Sequence, residues 1–313
     1  MSSEVGRERG GTVLLRQLEY LVALTNAGHF AKAAEQCYVS QPTLSEGIRK
    51  LETELGVPLV RRGRRFEGLT AEGEQVVLWA RRMLADRDAM EAGLAALREG
   101  LSGELRLGAV PTAVGAVALL TQPFCAANPH TTVNVQADLQ GDDIVRRLRA
   151  FELHGAVSYH SRSLDLPFVP LYRERYVVLT QEDPGRAAQE ISWAEAAALP
   201  LCLLHPRMLG RRVLDDVFAE LSLAVAPRVE TDSIASLIAH VRTGQWSSII
   251  PHTWLHVFGI PAGMEAVPLM GPRRSARIGL LLPPRDPLSV MEQALADLAR
   301  ASRMHTVLDV LPG

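Results

Sequence analysis

Cysteine, aromatic residues and excess charge are all scarce in this chain of 313 residues. Its three cysteines, Cys37, Cys125 and Cys202, lie far apart and form no Cys-x-x-Cys pair, which argues against a zinc ribbon or a thioredoxin-like pair. Scattered thiols suit a reducing cytoplasm better than a secreted scaffold held by disulfides. The net charge is only -2, so any surface that binds nucleic acid must be local.

Apolar segments long enough to cross a membrane are also missing. The first residues, MSSEVGRERGG, lack the apolar core of a signal peptide. The longest stretch without Asp, Glu, Lys or Arg, residues 107–137, is interrupted by three prolines, and a second stretch, 243–264, by two. Both patterns indicate strands, helices and turns instead of a membrane span. We therefore expect a soluble cytoplasmic protein with no membrane partner.

The N-terminal residues have the pattern of three short helices. Apolar residues at helical spacing predict one helix over 14–27 and a second over 30–37. Ser40 is a favourable N-cap, and Pro42 stands in the first turn, where a missing N–H costs little. A third helix is predicted from this cap, with its buried stripe formed by Leu44, Ile48 and Leu51.

A hairpin and a long helix follow. Residues 59–70 predict a two-stranded wing with its turn at Gly63, flanked by Arg61, Arg62, Arg64 and Arg65. From Ala71 to about Arg98, apolar steps of four and three residues predict a helix with a heptad seam. The seam consists of Val76, Ala80, Met83, Met90, Leu94 and Leu97, with Arg87 as its one break. Such a helix either packs on its own domain or joins two chains; we favour the second, because few neighbouring elements are left to cover it.

The rest of the chain, after Gly100–Gly103, alternates strand and helix patterns. Strands are predicted over 104–110, 132–136, 155–159, 176–180, 199–204, 228–230, 247–250 and 277–282. Helices are predicted over 113–127, 142–151, 211–219, 233–243 and 288–302. This alternation predicts parallel sheets in an α/β domain.

At this point the chain resembles the LysR-type transcriptional regulators. The matching stretches are LRQLEYLVAL, HFAKAAEQCYVSQPTLSEGIRKLETELGVPLV and GLTAEG, all within residues 14–73, and the likeness continues more loosely over nearly the whole chain. The resemblance implies a mostly α-helical winged helix-turn-helix DNA-binding domain over 1–70 and a linker and dimerisation helix over 71–100. It implies an α/β effector-binding domain over 101–313, built like a periplasmic binding protein.

Two subdomains are implied within that last domain. Subdomain I would cover about 104–174 and 277–313, and subdomain II about 175–276. Hinge strands would cross between them near 173–176 and near 272–276.

The start of the third helix carries the candidate DNA contacts. A helix-turn-helix places the N-terminal part of its second helix against base edges in the major groove. The candidates there are Ser40, Gln41, Pro42, Thr43, Ser45 and Arg49. Gln can pair with adenine, and Arg with guanine or a phosphate. Lys32 and the wing arginines Arg61, Arg62, Arg64 and Arg65 are expected to contact phosphates. A merely solvated helix face is the alternative for Gln41, Ser45 and Arg49, and the surrounding motif disfavours it.

Glu46 departs from the residue types that the family usually has at this place. It can accept a hydrogen bond from cytosine N4, or it can pair with Arg49 or Lys50 along the helix. We favour the pairing role. In either role, Glu46 is expected to sharpen sequence choice and to weaken nonspecific attraction to phosphates.

Residues that follow strand ends are the candidate effector contacts, because ligands of α/β domains bind where strand ends meet helix N-termini. Thr112, His160, His205 and Thr231 follow strand ends, Trp246 stands just before another strand, and Gln140 is added because Gly141 stands where the family often has Ser or Thr. A capping or packing role is the alternative for each. Helix N-termini favour anions, and no apolar box is evident, so we expect a small carboxylate or inorganic anion, formate being one candidate.

Three other functions compete with this interpretation. His154, Ser158 and His160 invite an enzyme, but no third ligand, nucleophile elbow or Gly-rich phosphate loop accompanies them. A solute-binding protein conflicts with the DNA-binding motif. A thiol redox sensor would use Cys125 and Cys202. We expect a regulator that has no enzyme activity, cofactor or metal. Its partners would be double-stranded promoter DNA, RNA polymerase, a small-molecule effector and further copies of itself in a homodimer or homotetramer.

Overall fold

The computed structural model describes residues 12–62, 66–160, 165–183, 190–270 and 276–309 of the chain. The chain divides into two compact units, residues 1–94 and 95–313. One apolar core belongs to the first unit and three belong to the second. Gly63 and the wing arginines Arg64 and Arg65 lie outside the described residues.

The first unit contains three short helices and a hairpin. The helices are α1 (Leu15–Ala27), α2 (Phe30–Gln36) and α3 (Gln41–Leu55), and the hairpin strands are β1 (Val60–Arg62) and β2 (Phe66–Leu69). Gly28 and Gly56 end α1 and α3 in the left-handed conformation. These elements confirm the predicted helices to within one or two residues.

Helix α3 is held at both ends by the rest of this unit. Its stripe of Leu44, Ile48 and Leu51 is fully buried. Gly47 faces α1 so closely that an added Cβ would lie 2.5 Å from Cδ2 of Tyr20. At the far end, the Glu52 carboxylate accepts hydrogen bonds from the Leu59 and Val60 amides at 2.9 and 3.1 Å. The buried stripe and these contacts fix the orientation of the exposed face of α3.

The long helix α4 (Ala71–Glu99) begins after the hairpin and has two different halves. Val77 and Ala80 are buried in the core of the first unit. Arg87, the break in the predicted seam, forms an ion pair with Glu19 of α1. Beyond it, Met90 is 61% exposed and Leu97 is 85% exposed. The first half of the helix therefore packs on its own unit, and the second half presents uncovered apolar side chains.

The second unit is an α/β domain. Its strands are β3 (Ser102–Ala109), β4 (His130–Gln136), β5 (Gly155–Tyr159), β6 (Phe168–Glu174), β7 (Tyr176–Gln181), β8 (Ile191–Ser192), β9 (Cys202–Leu204), β10 (Val229–Thr231), β11 (Ser248–Pro251), β12 (Met264–Met270) and β13 (Ala276–Leu281). Its helices are α5 (Val114–Ala127), α6 (Gly141–Arg149), α7 (Trp193–Ala197), α8 (Leu209–Glu220), α9 (Ile234–Val241), α10 (Thr253–Phe258), α11 (Val290–Ala301) and α12 (Met304–Leu308).

Two main sheets organise this domain. The first has the strand order β4-β3-β5-β13-β6, and the second has the order β11-β7-β12-β8. Parallel strands β9 and β10 continue the second sheet through a bridge between Leu201 and Ser247. The chain passes from the first sheet to the second at Arg175, between β6 and β7. It returns between β12 and β13, where residues 271–275 lie outside the described part of the chain.

The sheets are mixed, so the expectation of parallel sheets was wrong in part. Strand β13 runs antiparallel to β5 and β6, and β7 runs antiparallel to β11 and β12. The sequence pattern missed β6, β8 and β12, together with the short helices α7, α10 and α12. Pro170 and Pro268 interrupt β6 and β12, and proline inside an apolar run argues against a strand. The missed helices span only one or two turns, too few for periodicity to be visible.

A membrane-spanning helix is absent from the part of the chain that the structure describes: none of the helices there is both long and apolar enough to cross a bilayer.

Candidate functional sites

The first turn of α3 is firmly capped. The Ser40 hydroxyl accepts a hydrogen bond from the Thr43 amide at 3.3 Å and lies 2.8 Å from the Thr43 hydroxyl. Pro42 occupies the first turn. The predicted cap is therefore confirmed, and it stiffens the part of the helix that a helix-turn-helix presents to base edges.

The exposed face of α3 brings five of the eleven candidate DNA contacts together, namely Gln41, Pro42, Thr43, Ser45 and Arg49. One shallow depression is lined by Gln41, Pro42, Thr43, Ser45, Glu46, Gly47, Arg49 and Lys50. Lys32 is exposed at the start of α2, and Arg61 is exposed in β1. The side chain of Arg62, like Arg64 and Arg65, is outside what the structure describes.

Glu46 pairs with Arg49 only loosely. The Arg49 Nη1 atom lies 3.5 Å from the Glu46 Oε2 atom, and the two side chains are 60% and 74% exposed. Exposed pairs of this kind contribute at most about 1 kcal/mol. Arg49 can therefore leave this pair for a base or phosphate at little cost.

Replacing Glu46 with Gln is expected to strengthen nonspecific DNA binding about fivefold, because one like charge is removed beside the phosphates. The ratio of specific to nonspecific affinity should fall. Both quantities are measured by titrating the full chain with a promoter fragment that it binds specifically and with random duplex DNA, at one salt concentration. The hypothesis fails if neither affinity nor their ratio changes.

A cleft of about 650 Å³ opens within the second unit. Residues from the first sheet and its helices line one side, among them Pro111, Thr112, Val114, Gly115, Ala137, Asp138 and Gln140. Segments of the second sheet line the other side, namely His205, Arg207, Met208, Asp232, Ser233, Ile234, Ala235, Trp254, Val257 and Phe258. The volume is typical of sites for small organic ligands.

Three of the six candidate effector residues, Thr112, Gln140 and His205, line this cleft, and three do not. The ring of His160 packs on Phe168, with 4.4 Å between the ring centroids. The Thr231 hydroxyl accepts a hydrogen bond from the Ser233 amide, so it supports a cleft loop without lining it. Trp246 is partly buried against a core of the second sheet.

Thr112 is held tightly at the edge of the cleft. It is only 3% exposed, and its hydroxyl lies 3.0 Å from the Tyr159 hydroxyl. The indole N–H of Trp254 donates to the Thr112 carbonyl at 3.0 Å. Helix α8 approaches so closely that a Cβ on Gly210 would lie 2.6 Å from Thr112 Cγ2 and 3.2 Å from the Tyr159 hydroxyl.

Trp254 is a cleft residue that the sequence pattern did not reveal. It lies on α10, one of the short helices that were missed, eight residues after the tryptophan that was chosen. The same helix supplies Val257 and Phe258, both about half exposed. Together with Val114 and Ile234 they form an apolar wall. The premise that the cleft has no apolar box was therefore wrong.

Helix N-termini surround the polar part of the cleft. Gln140, Met208 and Ser233 are the N-cap residues of α6, α8 and α9. The start of α8 is anchored by the buried Arg211, which donates to Asp215, to Glu230 and to the Leu204 carbonyl at 2.7–2.8 Å. First-turn N–H groups favour acceptors, whereas Asp138 and Asp232 favour donors. The polar rim therefore suits a ligand that has both hydrogen-bond acceptors and hydrogen-bond donors.

Of the residues that suggested catalysis or thiol chemistry, His154 is partly buried, Cys202 is buried and Cys125 is exposed. The Arg106 amide donates to Nδ1 of His154, and burial lowers the pKa of this imidazole to about 4. The burial of Cys202 raises its thiol pKa. Within the described ranges, no group of three or more His, Cys, Asp or Glu side chains is arranged to hold a metal ion.

A winged helix-turn-helix together with a two-sheet domain that encloses a cleft defines a ligand-responsive DNA-binding protein. Residues 15–74 match the model of the bacterial regulatory helix-turn-helix proteins of the lysR family. Residues 98–303 match the model of the LysR substrate binding domain. The chain belongs to the LysR family of transcription regulators, as its resemblance implied.

Full-length relatives share this organisation. The DNA-binding transcriptional dual regulator OxyR of Escherichia coli K12 is 30% identical over 295 residues, which cover 92% of this chain and 95% of that protein. The HTH-type transcriptional regulator EstR of Acinetobacter baylyi is 47% identical over 157 residues, about half of each chain. A full-length OxyR variant from Pseudomonas aeruginosa has a TM-score of 0.76 at 25% identity and covers 94% of this chain and 99% of its own.

Proposed function

We propose that this regulator binds promoter DNA through the exposed face of α3 and changes its activity when a small organic molecule occupies the cleft. The observation that carries the proposal is the juxtaposition of Gln41, Ser45 and Arg49 on the capped start of α3. Gln41 and Arg49 would read base edges, while Lys32 and Arg61 would contact phosphates.

Two copies of the chain would join through the uncovered apolar side chains of α4. Met83, Met90, Leu94 and Leu97 are all exposed there and follow the heptad spacing of a helix pair. A dimer would place two α3 helices on half-sites about one helical turn apart. Further association to a tetramer, and contact with RNA polymerase, would connect DNA binding to transcription.

The effector would be an amphipathic organic molecule larger than formate. A formate-sized anion would leave most of the 650 Å³ cleft unfilled, whereas binding sites usually bury most of their ligand's surface. An apolar ring or chain would cover Trp254, Val257 and Phe258. Its polar group would reach Gln140, His205 or the Thr112 region.

Regulation would follow from a population shift. A ligand that contacts both sides of the cleft stabilises the arrangement of the two sheets in which both sides reach it. A difference in affinity of about 1–3 kcal/mol between two arrangements is enough for typical allosteric coupling.

A thermal-shift screen of the full chain tests the cleft. The panel holds small carboxylates, inorganic anions and larger aromatic or branched-chain acids, with formate included. A true effector raises the melting temperature with increasing concentration, because it binds the native state, and it also alters DNA affinity. Thr112→Ala should remove both effects, while Thr306→Ala, at an exposed position of α12, should retain them. A ligand whose effects survive Thr112→Ala would place the site elsewhere.

Peroxide sensing is a second candidate, because several relatives are named hydrogen peroxide-inducible genes activators. The thiols here are poorly placed for it. Burial raises the pKa of Cys202, and Cys125 lies in the last turn of α5 instead of at a helix N-terminus, where reactive cysteines often occur.

We therefore expect peroxide to change DNA affinity less than about twofold, in the wild type and in Cys125→Ser and Cys202→Ser variants alike. Gel-shift titrations with and without peroxide, followed by reduction, measure this. A larger, reversible change that either serine variant abolishes would favour redox sensing over ligand sensing.

A further inference from the structure

Glu174 is a buried acid at the point where the chain leaves the first sheet. It is the last residue of β6, directly before Arg175, and it is 0% exposed. Neither of its carboxyl oxygens has a hydrogen-bond partner among the residues that the structure describes. A buried polar group without a partner is costly and calls for an explanation.

Tyrosines share the face of the sheet on which Glu174 lies. Ile278 of β13 pairs with Tyr159 of β5 on one side and with Tyr172 of β6 on the other. Directly opposite residues project to the same face, and so does Glu174, two residues after Tyr172. Tyr176, at the start of β7, is also buried.

This cluster is connected to the cleft. Tyr159 shares a hydrogen bond with Thr112, at the edge of the cleft. The hydroxyls of Tyr172 and Tyr176, and that of Thr253 beside Trp254, are buried without partners within the described segments. A row of polar groups thus runs from the cleft at Thr112, through Tyr159, to Glu174 and the crossing at Arg175.

Among the described residues, no cation contributes to the environment of the Glu174 carboxyl. The titratable groups that face it are Tyr159, Tyr172 and Tyr176. His252, at the N-cap of α10, is bonded to the backbone of Arg175 and to the Leu308 carbonyl. The Arg175 guanidinium donates to the Asp309 carbonyl. Burial raises the pKa of Glu174 to about 8. The Tyr159 hydroxyl opposes only part of this rise, because it lies near the carboxyl without completing a hydrogen bond to it. The carboxyl is therefore mainly protonated at neutral pH.

We propose that Glu174 is a positioning residue for the effector response and senses, through Tyr159, whether the Thr112 hydroxyl is engaged. When a ligand forms a hydrogen bond with the Thr112 hydroxyl, the Tyr159 hydroxyl loses that partner and turns to donate a hydrogen bond to Glu174. The carboxyl then ionises and releases one proton to solvent, and the charge appears at the crossing between the two sheets. The proposal rests on the proposed function, because it requires a ligand at Thr112.

The coupling can be tested without any ligand. Infrared difference spectra of the full chain, recorded from about pH 6 to about pH 9, follow the C=O stretch of a protonated buried carboxyl. We expect this band to disappear with a midpoint near 8 in the wild type and to be missing in Glu174→Gln. Glu190→Gln, which removes an exposed acid, should keep it.

Thr112→Val removes the Thr112 hydroxyl but keeps nearly the same side-chain shape. Tyr159 then loses its hydrogen-bond partner, as it would when a ligand binds the Thr112 hydroxyl. The midpoint in Thr112→Val should fall by about one pH unit, because a hydrogen bond to the ionised form favours that form. Tyr159→Phe should raise the midpoint of the carboxyl titration. When Thr112→Val is added to Tyr159→Phe, the midpoint should not change further.

A Thr112→Val midpoint equal to that of the wild type, or a band that survives Glu174→Gln, would overturn the proposal. If the midpoints move as expected but no compound in the thermal-shift panel binds, the coupling stands and the proposed ligand site fails. The two failures are therefore distinguishable.

Discussion

Replacing Gln41 and Arg49 together with alanine is expected to lower sequence-specific DNA affinity by about one and a half to four orders of magnitude. Each good side-chain contact to a base contributes about 1–3 kcal/mol of discrimination, and about 1.4 kcal/mol corresponds to tenfold in affinity. Both side chains are exposed, so the unit should remain folded. Competition between a bound promoter fragment and random duplex, at one salt concentration, measures the change.

A matched control lies on the second unit. Gln293 and Arg300 are exposed on α11, and their double alanine variant should bind the same fragment as the wild type does. Circular dichroism of both variants checks that the helices are retained. The assignment of α3 is wrong if the Gln41 and Arg49 variant keeps the wild-type ratio of specific to random binding.

The second unit is expected to lose stability as the pH rises above neutrality. Glu174 has a pKa of about 8 in the folded chain, against 4.5 for an ordinary Glu. A raised folded pKa means that the carboxyl takes up a proton on folding. This contribution to stability is complete below the unfolded pKa and is lost as the pH rises through the folded pKa. Between about pH 7 and about pH 8 the loss is about 1 kcal/mol, because the folded carboxyl already releases part of its proton in this range.

Urea unfolding of the full chain at several pH values measures this loss. Glu174→Gln should flatten the curve, because the amide cannot ionise. The imidazoles of His154 and His252 do not interfere in this pH range, because their lowered pKa values affect stability only in acid. The range also lies below the raised thiol pKa values of Cys37 and Cys202. Equal slopes for the wild type and Glu174→Gln would show that the carboxyl is already ionised.

Local signals made the first unit largely predictable. Ser40, Pro42 and the stripe of Leu44, Ile48 and Leu51 define α3 within a single stretch of sequence, and the structure confirms each of these roles. Strand β5 was likewise predicted with its observed ends, because GAVSY is a short apolar run bounded by polar residues. Helix caps and buried stripes depend on neighbours in sequence, so they can be read without a structure.

The cleft could be predicted only in part. Thr112 and His205 were chosen because strand ends meet helix starts in α/β domains, and Gln140 was chosen because it precedes Gly141, where the resembled family often has Ser or Thr. Trp254 was missed because the helix that carries it is only six residues long, and Trp246 was chosen in its place. Glu174 gave no signal, because its burial depends on the pairing of β13 with both β5 and β6, which joins segments about 100 residues apart.

Selection of bound duplexes from a random library by the full chain tests the central claim most directly. The account predicts enrichment of a pseudo-palindrome whose two half-sites lie about one helical turn apart. The Gln41→Ala and Arg49→Ala double variant should fail to enrich it. If the wild-type chain enriches no sequence, or if the double variant enriches the same motif, α3 does not read DNA as proposed.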